Sequence, residues 1–272
     1  MKLSPTRIKT IQDTVLRWYG LHARSLPWRE THNPYKILVS EIMLQQTQVP
    51  RVIPKYEAFL QRFPTMKSLA AATSADVIRE WKGLGYNRRA LNLQRACRII
   101  VSELNDAFPQ TVAELMALPG IGRYTAGAIM NFAFNIDTPA VDTNVRLFVD
   151  TMLPTKKVRS ENDYYDISAQ LAPKHTAHLW LHAVMDYTSA KLRSTRPKVK
   201  KKKPEEKFIG SNRYLRGKIL DALRIEPASK KKLYALIAKP LDISEDRFCS
   251  LLNALQNEGF LIAQSRIISL TA

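Results

Sequence analysis

From residue 5 to about 190, apolar side chains return every three or four positions and are interrupted by proline and glycine. That spacing gathers them on one face of a helix, and the strict alternation of a half-buried strand is absent. Breaks at Leu26-Pro27, Phe63-Pro64, Gly83-Leu84-Gly85, Phe108-Pro109, Pro119-Gly120 and Leu153-Pro154 divide the stretch into roughly eight to ten short helices, an all-α domain. Residues 193–207 break the pattern, with lysines crowded together and almost nothing to bury. Their mutual repulsion predicts a linker, either solvated or laid against a polyanion. After it, residues 216–223, 230–238 and 245–258 each read as helices, with Gly259 at the C′ position of the last. Phe260–Ala263 and Ile267–Leu270 then flank a polar turn, the pattern of a β-hairpin. Three helices followed by a hairpin is the order of a winged helix, which serves both as a DNA-binding and as a protein-docking module. The expected organisation is therefore a helical domain over 1–192, a lysine-rich linker over 193–207, and a small winged-helix-like α+β domain over 208–272.

Composition narrows the partner. Lysine and arginine total 42 against 24 acids, a formal charge of +18, and the pI is about 10.0. Such an excess predicts a polyanionic partner, because neutralising phosphates releases counterions and drives association. Charge names a partner and not a reaction. The two cysteines, Cys97 and Cys249, fall on helical apolar patterns and read as small buried residues without a redox or metal role. Ile8, Ile11, Val15, Leu16 and Trp18 are interleaved with charges, the pattern of an amphipathic helix and not of a secretory leader. No apolar run approaches a membrane span. A soluble, intracellular protein is expected.

Three segments of the helical domain carry candidate chemistry. In Leu118-Pro-Gly-Ile-Gly-Arg-Tyr-Thr-Ala126 two glycines two apart permit a tight turn that exposes backbone N–H groups at a helix N-terminus, where a DNA phosphate fits. An ordinary αα-hairpin uses glycine in the same way. In Val141-Asp-Thr-Asn-Val-Arg146, Asp142 is placed to cap a helix. In Ser40-Glu-Ile-Met-Leu-Gln-Gln-Thr-Gln48, Glu41 sits among Ile37, Leu38, Ile42 and Leu44, a setting that raises a carboxyl pKa if the side chain is buried and does nothing if it is solvated.

Together with Leu26-Pro-Trp-Arg29, Gly83-Leu-Gly-Tyr86, Asn144 and Met185-Asp186, these blocks stand in one order and spacing. That arrangement resembles the catalytic domain of the adenine DNA glycosylases (the MutY family) of the helix-hairpin-helix, or HhH-GPD, superfamily, over roughly residues 5–198. The resemblance implies two helical lobes with duplex DNA in the cleft between them and the target base extruded. It implies that Glu41 is the general acid that protonates the purine ring and that Asp142 stabilises the cationic sugar. Tyr124 and Asn144 would orient the water and Asp142. Trp28, Arg29, Leu44, Gln46, Arg89 and Asp186 match positions of the base pocket, and Gln46 and Tyr86 those that fill the gap in the base stack. Leu118, Gly120, Ile121, Gly122 and Arg123 would form the hairpin that holds the DNA backbone and leaves room for a monovalent cation. Two carboxylates in different environments suit a glycosidic bond on chemical grounds alone, since the base must be protonated to leave and the sugar needs a nearby negative charge. A related lyase-type glycosylase carries a Schiff-base lysine where this chain has Tyr124, so a monofunctional enzyme that leaves an abasic site is expected.

The chain departs from the family in three ways. Most members bind a [4Fe–4S] cluster through four cysteines, and alignment on residues 193–198 puts Leu192, Val199, Lys202 and Phe208 there instead. No cluster is therefore expected, and no metal beyond the monovalent cation at the hairpin. The winged-helix-like unit replaces the family's usual C-terminal domain, which leaves opposite-base recognition open. Asn87 stands where a second aromatic residue often follows Tyr86. The expected partner is double-stranded DNA with a mismatched or damaged base, bound by a monomer, and the expected target is adenine opposite 8-oxoguanine or guanine. Thymine or uracil removal from G mismatches is the enzymatic alternative, against which Gln45-Gln46-Thr47 speaks. A DNA-binding protein without catalysis is the other.

Overall fold

The computed structural model describes residues 2–195 and 208–271. Two groups of helices build the N-terminal part. The first group is α2 (Pro34–Leu44), α3 (Val49–Arg62), α4 (Met66–Ala71), α5 (Ser74–Glu80), α6 (Arg88–Ser102), α7 (Val112–Ala117) and α8 (Arg123–Phe134). The second is α1 (Pro5–His22), α9 (Thr143–Met152), α10 (Glu161–Leu171) and α11 (Ala177–Tyr187), with α11 running on through a π-turn at Thr188–Leu192 and a 3-10 turn at Arg193–Thr195. A short 3-10 turn, Pro27–Arg29, bridges α1 and α2. Helix α1 packs on α11 and α10, α2 packs on α8, and contact between α8 and α11 joins the two lobes.

Helix starts follow from the local sequence. Ser4, Asn33, Thr65, Thr73, Thr111, Asp142 and Ser160 each accept first-turn N–H groups with their side chains, satisfying donors that have no partner within the helix. Thr73 accounts for a miscount. With no proline or glycine between Pro64 and Gly83, that stretch shows no internal stop. It breaks all the same at Ala72, where Thr73 accepts from Asp76 N at 3.1 Å and starts a new helix. Eleven α-helices thus lie among the described residues before Arg193, more than the proline and glycine breaks predict.

The C-terminal unit consists of α12 (Asn212–Ile225), a two-residue strand β1 (Ala228–Ser229), α13 (Lys230–Leu233, extended by a π-turn over Tyr234–Ala238), α14 (Glu245–Asn257), and the hairpin β2 (Leu261–Gln264) and β3 (Ile267–Leu270). The three strands are antiparallel in the order β1-β3-β2. Strand β1 is too short to leave a pattern in the sequence. Gly259, at φ +83°, closes α14 with N–H bonds from Gly259 to Gln256 O and from Phe260 to Leu255 O, a Schellman stop that needs a left-handed residue. Ala75, Ile78 and Leu91 of the first lobe share one apolar core with this unit. Arg224 adds bonds to Ile78 O (3.0 Å) and Asn87 Oδ1 (3.1 Å). The lysine-rich segment from 196 to 207 lies outside the described residues. Cys97 is buried as expected, but Cys249 is only half-buried, because it borders an open cavity beside Lys230 and Arg266.

Candidate active site

Helix α2 is apolar nearly all round, with every residue from Ile37 to Met43 buried. It therefore drives Glu41 into the interior, 6% exposed. Burial pushes the Glu41 carboxyl up to about 7, the negative charge of Asp142 adds to the rise, and a hydrogen bond from the Tyr124 hydroxyl opposes it. Burial and the two carboxylates hold the Tyr124 hydroxyl well above its usual range, so it remains a proton donor.

Asp142 caps α9 and also faces the site. Its Oδ1 accepts from Asn144 N and Val145 N, both at 2.8 Å, while Oδ2 accepts from Asn144 Nδ2 at 2.7 Å. These bonds fix both oxygens and favour the charged form, yet burial outweighs them and its pKa is raised. The capping reading and the functional reading of Asp142 are therefore compatible, since the cap orients the carboxylate.

Glu41, Tyr124, Asp142 and Asn144 line one cavity of about 600 Å³ at the junction of the lobes, and Trp28, Arg29, Leu44 and Gln46 line it with them. Asp186, Tyr86 and Arg89 do not. Asp186 is buried behind the cavity wall, where Arg29 Nη1 and Nη2 donate to its two oxygens at 2.8 Å and Arg24 Nε donates at 2.7 Å. Burial disfavours its charge, but the arginine bonds outweigh burial and hold its carboxyl down to about 2. Asp186 thus positions Arg29 and does not meet the cavity. His182, one turn before Asp186 on α11, lines the cavity and was not anticipated. It stacks on Phe132 with centroids 4.2 Å apart. Burial, aided by Arg29, lowers its pKa to about 3, so the ring is neutral. Its i, i+4 spacing from Asp186 was the available signal.

Arg89 is a clamp. Its guanidinium donates to Ile42 O (2.7 Å), Met43 O (2.9 Å), Leu84 O and Gly85 O (both 3.1 Å), and to Thr47 Oγ1 (3.0 Å). It ties the end of α2 to the Gly83–Tyr86 turn. Those two turns hold Gln46 at φ +57° and Tyr86 at φ +45°, left-handed conformations that cost residues with a Cβ on the order of 1 kcal/mol or more unless the surroundings enforce them. Tyr86 is 42% exposed. The two residues expected to fill the stack gap are therefore held out on strained, clamped turns.

The hairpin 118–123 joins α7 to α8. Leu118 and Ile121 are buried anchors, while Gly120, Gly122 and Arg123 are exposed. Helix α8 begins with no side-chain cap and no acid in its first turn, which leaves its N–H groups and the positive dipole end facing outward. Arg123 donates to Asn162 Oδ1 at 3.1 Å and lies 3.5 Å over the Tyr165 ring, so the exposed backbone, more than this side chain, is the free feature.

Residues 39–174 match the HhH-GPD superfamily base excision DNA repair protein family. The chain belongs to that family. It is also 38% identical over 245 residues to the adenine DNA glycosylase of Mycolicibacterium smegmatis, covering 82% of this chain and 81% of the relative. The human adenine DNA glycosylase is 42% identical over 147 residues, 51% of this chain and 27% of that protein. Among solved structures, a thermostable thymine-DNA glycosylase superposes with a TM-score of 0.65 at 23% identity over 71% of this chain and 91% of its own. An endonuclease III in a non-covalent DNA complex superposes at 0.63 with 21% identity, over 72% and 91%. These two show that the fold is that of the HhH-GPD glycosylases.

The family's iron–sulfur cluster does not fit the residues present. The chain has two cysteines in all, one in the helical core and one in the C-terminal unit. Of the aligned positions, Leu192 is buried among apolar side chains and Phe208 is exposed, while Val199 and Lys202 lie outside the described residues. Among the described residues no group of three or more His, Cys, Asp or Glu could hold a metal, and no helix is long and apolar enough to cross a membrane.

Proposed function

We propose that the protein is a monofunctional adenine DNA glycosylase, which hydrolyses the N-glycosidic bond of adenine mispaired with 8-oxoguanine or guanine in duplex DNA. The observation that carries this reading is the convergence of Glu41 and Asp142, drawn from different lobes, on one cavity of about 600 Å³, room enough for a single extruded nucleotide. The hairpin and the exposed start of α8 hold a backbone phosphate. Tyr86 and Gln46 fill the gap left in the stack and offset part of the few kcal/mol that extrusion costs.

In the cavity, Glu41 enters protonated, because its pKa near 7 leaves a large neutral fraction at working pH. It gives its proton to a ring nitrogen of the adenine, which turns a poor leaving anion into a neutral base. As the C1′–N bond breaks, positive charge builds on the sugar, and the Asp142 carboxylate, held by Asn144 and two backbone N–H groups, stabilises it. Water supplies the hydroxyl at C1′, its proton balances the one given to the base, and the products are free adenine and an abasic site. Among the described residues no lysine lines the cavity, which supports the absence of an imine route to strand cleavage.

The test is single-turnover excision on matched duplexes carrying A:8-oxoG, A:G, T:G and U:G. Adenine release from the first two is expected. Release of thymine or uracil without adenine would replace the proposed substrate, and no release from any duplex would leave a DNA-binding protein without catalysis.

A further inference from the structure

A second cavity, of about 790 Å³, lies on the other side of the Gln46 turn from the catalytic one. Gln46 lines both. One wall is the first lobe, with Tyr86, Asn87 and Arg88, and the other is helix α12 of the C-terminal unit, with Arg213, Tyr214 and Lys218. Arg213 sits 4.3 Å over the exposed Tyr86 ring and Lys218 5.6 Å from the Tyr214 ring. Among the described residues neither cation has a carboxylate partner, whereas Arg216 is spent on Glu258 at 2.7 Å.

The third helix of the unit is poorly equipped to meet DNA, and among the described residues none of the β2–β3 hairpin lines this cavity. A winged helix ordinarily presents its third helix to the groove, but α14 opens with Glu245 and Asp246, which repel phosphate. Its Arg247 is occupied by Asn212 Oδ1 and Gly210 O, with bonds of 2.8 and 2.9 Å. Contacts of α12 and α14 with the first lobe, through Arg224 and through Arg95 to Glu258 O (3.3 Å), fix which face turns toward the Tyr86 turn.

We infer that the C-terminal unit meets DNA through its first helix and not through its third helix or wing, and that the cleft between α12 and the Tyr86 turn receives the nucleotide left unpaired on the opposite strand. The inference rests on the proposed extrusion chemistry, which creates such an unpaired nucleotide whenever Gln46 and Tyr86 enter the stack. Two cations that no described carboxylate neutralises, beside two tyrosines, supply the charge and the π-faces that an unstacked nucleotide needs. An arginine fork can also pair with the O6 and N7 edge of guanine, so Arg213 is the candidate for opposite-base choice.

The experiment measures equilibrium binding of the full chain to duplexes holding a tetrahydrofuran abasic analogue opposite G, 8-oxoG, C or T, as a function of salt. This readout needs no base excision. Arg213→Ala and Lys218→Ala should each weaken binding about tenfold at physiological salt and lower the salt slope by about 1. Arg213→Ala should in addition flatten the preference among opposite bases, while Arg266→Ala in the wing should change nothing. Wild-type affinity in Arg213→Ala together with lost affinity in Arg266→Ala would place the contact on the wing and overturn the inference. Equal binding by all three variants would remove the unit from the DNA interface and overturn it as well. Adenine excision by the same preparations, measured in parallel, separates either failure from failure of the glycosylase reading itself.

Discussion

Glu41 shows how a single residue trades stability for chemistry. Its pKa, raised from 4.5 to about 7 in the folded protein, means that the fold binds a proton the unfolded chain would release. Its favourable contribution is complete below about pH 4.5 and is lost as pH rises through 7. At pH 8 the charged side chain therefore costs up to about 3 kcal/mol. Glu41→Gln should be more stable than the wild type at pH 8 and equally stable at pH 4.5 in denaturant titrations. The same substitution should remove the fall in kcat/KM that the wild type shows above pH 7, while lowering the rate about 10²- to 10⁴-fold. The apolar run around Glu41 made a raised pKa one of two readings of the sequence, and the burial of its side chain decides between them. Arg89 and Asp186 were not legible in the same way. A motif records that a residue type recurs at a position, but not whether it faces the substrate or, like Arg89, faces five acceptors behind it.

At the scale of elements, the hairpin 118–123 depends on Gly120. Its φ of +82° is strained for any residue with a Cβ, and an added Cβ would stand 2.9 Å from Asn92 Cβ. Gly120→Ala should therefore destabilise the protein by about 1–3 kcal/mol and weaken DNA binding, because the exposed N–H groups at the start of α8 would shift. Thermal unfolding and a binding titration read the two effects separately. Helix positions were legible wherever proline, glycine or a capping side chain interrupts an apolar repeat. The α4–α5 break and strand β1 were not, since a lone Thr73 cap and a two-residue strand leave no periodicity. The third-helix acids on α14 were readable in the sequence, but their meaning depends on which helix the docked unit turns toward the wedge.

Across the whole molecule, the cavity exists because the two lobes are held in register. Asp186 on α11 binds both Arg24 and Arg29 in the segment between α1 and α2. Arg29 is itself buried to 9% exposure. Asp186→Asn would leave that guanidinium desolvated without its counter-charge, a loss of about 3–5 kcal/mol. Chemical denaturation should show this, and KM for the duplex should rise because Arg29 no longer lines the cavity in a fixed position. The order of motifs along the chain was enough to recognise two lobes with a site between them. The docking of the C-terminal unit against α5 and α6 was not foreseeable, because Ala75, Ile78 and Leu91 read as ordinary apolar positions until a second core is seen to close over them.

Catalysis by two carboxylates acting across one cavity is open to a single decisive comparison. Single-turnover release of adenine from an A:8-oxoG duplex should be measured for the wild type and for Asp142→Asn, a substitution that keeps an oxygen acceptor for the Asn144 and Val145 N–H groups. Free adenine and an intact abasic strand are expected from the wild type, with the rate lowered about 10²- to 10³-fold in the variant. An unchanged rate in Asp142→Asn would contradict a catalytic role for the Asp142 carboxylate.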